Sequence, residues 1–340
     1  MNKRIAWIDT ARGLSIFLVV LGHTILPHSW LVYIFSFHMP LFFFLSGFLY
    51  NPEKHTNSWE FIKKKIQTIL WPYLVFFLFG YIYWILFFNS NQYLDPIWRI
   101  FYSSDKLYAP FIPLWFLTCL FLVEVYFHFL VKFLKKWTIL VAIVLSTLLG
   151  FYLAHHNFQL FWSLDIALVS LLFYYLGFIT KTYQQNLKKI NVAYLSLIGL
   201  IFLTLNFFLA RWQGLQISMI YRVYGIEWIF IVLAISGIIG WIILAKLLKT
   251  FVFNKSKIFE YLGKNSLIIL GLHTVFYYYV SDFFQYFLKI HPKTSILFSF
   301  IYTILTLVIM APFIYFINEK MPILIGRPNN KKKREDTTEL

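Results

Sequence analysis

The chain alternates long apolar runs with short polar clusters. The runs fall at 11–28, 31–50, 69–89, 111–131, 137–154, 160–180, 191–210, 226–246, 264–287 and 294–318. Each is close to the ~20 mostly apolar residues that cross the hydrocarbon core of a bilayer as a helix. The pattern predicts an all-α integral membrane protein of about ten transmembrane helices. No polar connection is long enough for a soluble domain. One transmembrane domain is therefore expected over 1–326, with a polar, disordered tail over 327–340. No small-x-small site follows the first run, so it is expected to stay as a span rather than be removed as a signal peptide.

Composition narrows the class. The chain is 60% hydrophobic and only 13% charged, against about a quarter charged in soluble domains. It cannot cover a water-facing surface of its size. Long Leu/Ile/Val/Phe runs exclude a transmembrane β-barrel, whose strands alternate in polarity over short segments.

Charge then sets orientation. With the N-terminus inside, 24 of the 30 Lys and Arg fall on the inner side and 6 on the outer. The positive-inside rule accordingly places both termini in the cytoplasm. The net charge of +16 is this loop bias; no basic face or motif suggests nucleic acid as a partner. A single cysteine, Cys119, excludes an intrachain disulfide and a cysteine-based metal cluster. No HExxH and no clustered carboxylates occur, so no metal is expected.

Ionisable residues inside spans usually face the bundle interior and mark a site or a pathway. Here they are Arg12, His23, His38, Glu124, His128, Asp165, Glu227 and His273. Arg12 and His23 are eleven residues apart, close to three full helical turns. They share a face and are separated by roughly 16 Å along the axis. With Arg12 at the boundary, His23 lies past the middle of the core, where an imidazole is a candidate base or nucleophile. Asp9 is an i, i+3 partner that would orient the Arg12 guanidinium. His38 precedes Met39-Pro40, and the proline predicts a kink. Ser46-Gly47 permits close approach of a ligand or another helix. Lys63, Lys64 and Lys65 read as topology signals or as an anion site. Trp71, Pro72 and Tyr73 read as an interfacial anchor with a kink. His128 stands one turn after Glu124, which makes a Glu–His pair geometrically possible.

Five segments, "WIDTARGLSIFLVVLGH", "FHMPLFFFLSGF", "KKKIQTILWPYLVF", "PLWFLTCLF" and "LGKNSLIILGLHT", resemble in order those of the acyltransferase 3 family, polytopic O-acyltransferases of cell-surface sugars that include a fucose 4-O-acetylase-like group. The resemblance covers nearly the whole chain. It implies acetyl-CoA as donor and a sugar hydroxyl on a cell-surface polysaccharide or lipid-linked glycan as acceptor, in a bacterial cell membrane. It carries the essential first-helix histidine onto His23 and the arginine onto Arg12. The other matched positions are His38, Ser46 with Gly47, and Pro72 with Tyr73.

On this reading His23 is base or acyl carrier, with Arg12 and Asp9 beside it. Arg12, Lys64, Lys65 and Tyr73 face the donor. His38, Ser46, Glu124 and His273 are candidates for the oxyanion or acceptor side. The family often has an arginine where this chain has only lysines at 63–65, and lysine meets phosphate only as a point charge. The rival reading is a transporter or flippase for a polysaccharide intermediate, without acyl transfer. No internal repeat and no paired broken helices, the usual transporter pointers, are visible in the sequence.

Overall fold

The computed structural model describes residues 5–87, 94–103, 107, 109–182, 191–251, 253–290 and 293–328. Among these the regular secondary structure is all helical, with one isolated bridge between Ser218 and Val223. Among the described residues nine helical segments are long and apolar enough to cross a membrane: His28–Leu49, Ser58–Phe87, Ile112–Phe133, Lys136–His155, Phe161–Thr182, Val192–Gln213, Glu227–Phe251, Ser266–Phe287 and Ile296–Lys320. The first expected span is a shorter helix, α1 (Ala6–Gly22), of 17 residues. Most of the tail expected at 327–340 lies outside the described residues.

α1 is the centre of the bundle. Nearly every residue from Ile8 to Leu21 is buried. Its N-terminal half crosses α12 (Phe253–Lys264), which falls between the apolar runs 226–246 and 264–287. Gly13 and Gly263 allow the crossing. A Cβ on Gly13 would lie 1.8 Å from the carbonyl oxygen of Phe259, and one on Gly263 would lie 1.8 Å from that of Asp9. Two backbones touch, with no flexible side chain between them to give way.

The second span is two helices, α2 (His28–Phe35) and α3 (His38–Leu49), with Ser36 and Phe37 between them. The sequence predicted a kink at Pro40. The break falls earlier and places Pro40 in the first turn of α3, where an N–H has no intrahelical partner and its loss costs nothing. Asn206, fully buried, holds the break by donating to the Ser36 hydroxyl at 3.2 Å and to the Leu233 carbonyl at 2.7 Å.

The third span starts earlier than predicted. α4 (Ser58–Lys65) runs through a π turn at Ile66–Leu70 into α5 (Trp71–Phe87). The turn immediately precedes Trp71-Pro72, and a residue without an N–H is a natural place for the ladder to slip from i+4 to i+5. Lys63–Lys65 therefore sit on a helix rather than in a loop.

A short helix, α6 (Asp95–Tyr102), is followed by α7 (Trp115–Phe133), α8 (Lys136–His155), α9 (Leu164–Thr182), α10 (Val192–Gln213) and α11 (Glu227–Phe251). α12 then leads into α13 (Ser266–Asp282) and α14 (Ile296–Lys320). Only 11% of the apolar window of α10 is buried, which puts that helix on the perimeter with its Leu, Ile and Phe side chains outward.

The end of the bundle that holds the α3 C-terminus, α4 and the lysines of α7 and α9 is called here the basic face. On the opposite face Asp165 and Arg222, both buried, form an ion pair, and Asp165 also accepts the Leu160 N–H at 3.1 Å. This pair ties the segment before α11 to the start of α9, so Asp165 is a structural charge. Glu227 is half-buried in the first turn of α11.

Candidate functional site

Three helix ends and one helix middle bring three histidines together. α1 stops at Gly22, so His23 caps it rather than lying inside a continuing helix; its backbone N–H reaches the Val19 and Val20 carbonyls. His38 opens α3 beyond the break, and His273 lies mid-way along α13. The rings of His23 and His273 meet edge to face at 5.0 Å between centroids. Phe35, the last residue of α2, bridges to the third, with centroids 6.4 Å from His23 and 4.8 Å from His38.

All three rings are pinned in the same way. Nδ1 of His23 meets the Val19 carbonyl at 2.8 Å, and that of His38 meets the Ile34 carbonyl at 2.8 Å. Nδ1 of His273 meets the Ile269 carbonyl at 2.9 Å and the Leu270 carbonyl at 3.0 Å. A carbonyl only accepts, so each Nδ1 donates. In the neutral ring Nε2 then carries the lone pair. The cluster is a set of three oriented bases. The neutral His38 and His273 have no proton on Nε2 to offer an oxyanion, and either ring becomes such a donor only as an imidazolium.

Accessibility separates the three. His38 is 3% exposed and His273 is fully buried, whereas His23 is partly exposed. The Nε2 of His273 has no hydrogen-bond partner among the described residues. His23 is thus the accessible ring of the three, and His273 is buried beside it.

The other predicted residues are distributed along the bundle. Arg12 is half-buried on α1 at the α12 crossing, and Asp9 is buried one turn earlier. The helix is unbroken from Arg12 to Gly22, so the 16 Å estimate for the Arg12–His23 rise stands. Ser46 lies eight residues along α3 from His38, about 12 Å of helix rise. Its neighbour Gly47 packs on α9, where an added Cβ would lie 1.9 Å from the Tyr174 carbonyl oxygen. That segment is a helix-packing surface. Tyr73 is buried, and its hydroxyl donates to the Ile100 carbonyl at 2.5 Å, which holds α6 to α5.

Lys65 and Glu124, one expected at the donor and the other at the acceptor, meet each other at 2.7 Å. Lys64 is exposed. The possible Glu124–His128 pair does not form. His128 bonds through Nδ1 to the Tyr50 hydroxyl at 2.9 Å and through Nε2 to the Ser58 hydroxyl at 3.0 Å, and Lys132 donates to Ser58 at 2.7 Å. Sequence reasoning passed over Tyr50, His55, Ser58, Lys132 and Lys181. The available signal was the i, i+4 spacing of His128 and Lys132 at the end of a span. His55, in the loop before α4, is held below its ordinary value by burial first and then by Lys65, Lys64 and Lys54. The basic face is thus strongly positive at this point.

Among the described residues no group of three His, Cys, Asp or Glu is arranged to hold a metal ion. Residues 5–315 match a family model described as an acyltransferase domain, that of the acyltransferase 3 family. No curated protein and no solved structure matches the chain.

Proposed function

Because the chain belongs to the acyltransferase 3 family, and is therefore a multi-pass membrane acyltransferase, we propose that it moves an acetyl group from cytoplasmic acetyl-CoA to a sugar hydroxyl. The acceptor is an extracytoplasmic or lipid-linked cell-surface glycan of a bacterium. The basic face is the cytoplasmic one, as the 24-to-6 distribution of Lys and Arg implies.

The observation that carries this reading is the pinned, partly exposed His23. Its Nδ1 is occupied by Val19, so Nε2 is the atom that reacts. As a general base, Nε2 takes the proton of the sugar hydroxyl while that oxygen bonds to the thioester carbonyl carbon; the C–S bond breaks and the proton passes to the departing sulfur. As an acyl carrier, Nε2 itself bonds to the carbonyl carbon and the thiolate leaves; the hydroxyl then displaces the imidazole, whose freed Nε2 takes the hydroxyl proton and passes it to the thiolate. Both routes balance and both use the same nitrogen. Arg12, about 16 Å down the same helix face, supplies a cation where the phosphates of the donor enter.

The test compares wild type with His23→Ala at matched membrane levels, reading O-acetyl on the surface polysaccharide. The expected result is unacetylated polysaccharide with the chain still present in the membrane. Unchanged acetylation in His23→Ala overturns the assignment. The flippase reading gains one observation, the break between α2 and α3 inside a span. Loss of the polysaccharide from the surface, rather than of its acetyl groups, would favour it.

A further inference from the structure

On the basic face the C-terminus of α3, the segment 52–56 and α7 enclose a recess of about 150 Å³ lined by Tyr50, Pro52, His55, Thr56, His128, Val131 and Lys132. It lies at the far end of α3 from His38, a helix of 12 residues, or about 18 Å of rise. Lys181 of α9 reaches it from the side and donates to the Tyr50 carbonyl at 2.9 Å. Lys132 is ordered by the Ser58 hydroxyl and the Thr56 carbonyl. The hydrogen-bond partners of these cations are neutral groups, while the Glu53 carboxylate acts on Lys181 through space. The nearby carboxylate of Glu124 is taken by Lys65, and no carboxylate among the described residues pairs with Lys54, Lys132 or Lys181.

Proton counting points the same way. Lys132 only donates, so Ser58 Oγ accepts from it. If the Ser58 hydroxyl donates to His128 Nε2, then His128 Nδ1 donates to Tyr50 and the Tyr50 proton is left over. If Tyr50 donates to His128, Nε2 donates to Ser58 and the Ser58 proton is left over. Either way one hydroxyl proton of the relay finds no protein acceptor among the described residues. A concave site that offers cations with no carboxylate hydrogen-bonded to Lys132 or Lys181, and a spare hydroxyl donor, suits a group with several acceptor oxygens and negative charge.

We propose that the recess formed by Tyr50, His55, His128 and Lys132, with Lys181 beside it, binds a phosphate group. Two ligands bring that chemistry to this face, the phosphates of the acyl donor and the phosphate of an anionic lipid. The first alternative rests on the donor reading above; the site itself does not.

The experiment uses the purified full chain in nanodiscs of phosphatidylcholine. Equilibrium binding of coenzyme A and of 3′-dephospho-coenzyme A, and thermal stabilisation by inorganic phosphate, are measured for wild type, Lys132→Gln/Lys181→Gln and Tyr50→Phe. The last removes one hydroxyl and leaves the ring packing in place. For a donor phosphate, coenzyme A affinity falls about tenfold or more in the double lysine variant and less in Tyr50→Phe, and the dephospho compound binds wild type more weakly. For a lipid phosphate, coenzyme A does not respond to the substitutions. Instead, stabilisation by phosphate, or by nanodiscs containing phosphatidylglycerol, is lost in the variants; that result keeps the site and removes the donor from it. Identical responses of all three proteins to coenzyme A, phosphate and phosphatidylglycerol overturn the proposal, whatever acetylation shows.

Discussion

His23 and His273, from opposite ends of the chain, stand edge to face with centroids 5.0 Å apart, each with Nδ1 committed to its own helix backbone. Neither neutral ring can donate to the other. If His23 acts as proposed, the proton it gains is therefore the first that the pair holds beyond its pinned Nδ1–H groups. On that proposal His273, buried in ring contact with His23, would share it and fix the attitude of the His23 ring.

His273→Phe keeps a ring in that place and removes the nitrogens. The expected outcome is a fall in kcat of about 10²-fold, the lower range for a proton-handling group, with KM for the donor near wild type and the acid limb of the pH–rate profile displaced. Steady-state kinetics on protein in nanodiscs checks it; an unmoved profile and kcat would leave His273 as packing alone.

Arg12→Ala is expected to weaken acetyl-CoA binding by roughly 10- to 100-fold, the span for a lost hydrogen bond to a charged group. Arg12→Lys should recover only part of this, because lysine lacks the planar fork. Equilibrium binding measures both, and undiminished affinity in Arg12→Ala removes the residue from the donor path.

The Lys65–Glu124 pair ties α4 to α7. Lys65 is 22% exposed and Glu124 8% as side chains, so the cost of stranding either charge is discounted from the fully buried case to about 1–3 kcal/mol. Lys65→Met and Glu124→Gln should each destabilise, and the double variant should cost less than their sum. Thermal unfolding of all four proteins gives the coupling; strict additivity would deny it.

Gly263→Ala drives a methyl group into the Asp9 carbonyl, with 1.8 Å between the atoms in the unrelaxed structure. Backbone meets backbone there, so α12 must move. The expected cost is at least the 1–3 kcal/mol of ordinary overpacking. Protease sensitivity of the 253–265 segment reports the displacement, and full protection would mean that the crossing tolerates a side chain.

His55 lies below its ordinary value of 6.5 because of burial first and then Lys65, Lys64 and Lys54. Its folded value is depressed, so its contribution to stability is complete above 6.5 and is lost as pH falls. Phosphate in the recess offsets the lysines and should raise the His55 midpoint. NMR titration with and without phosphate, assigned through His55→Gln, checks both signs; a midpoint at 6.5 that phosphate leaves unmoved contradicts them.

The spans were legible because a bilayer demands about 20 apolar residues in a row, and such runs are readable one by one. The interruptions were not. Pro40 marked a break in the right neighbourhood, but where it fell was decided by Asn206, a contact from α10 that no local pattern announces. α12 was hidden by its lysines, although its Gly263 is the residue that lets it reach α1. The alignment of His23 with Arg12 was legible because their spacing lies within one helix. The approach of His23 to His273 depends on the packing of α1 against α13. Lys65 and Glu124 were each noticed alone, and only the fold shows that they neutralise one another.

The π turn at Ile66–Leu70 has a consequence for phase. Phe61, Lys65, Ile69 and Tyr73 follow one another at steps of four. In an uninterrupted α-helix each such step overshoots a full turn by about 40°, so three of them would swing Tyr73 about 120° around the axis from Phe61. The wider turn takes back about one residue of that rotation. One continuous helix can thereby keep Phe61 buried, hold Lys65 on Glu124 and deliver Tyr73 to Ile100. Deleting a single residue from 66–70 would straighten the ladder while putting its two ends out of step.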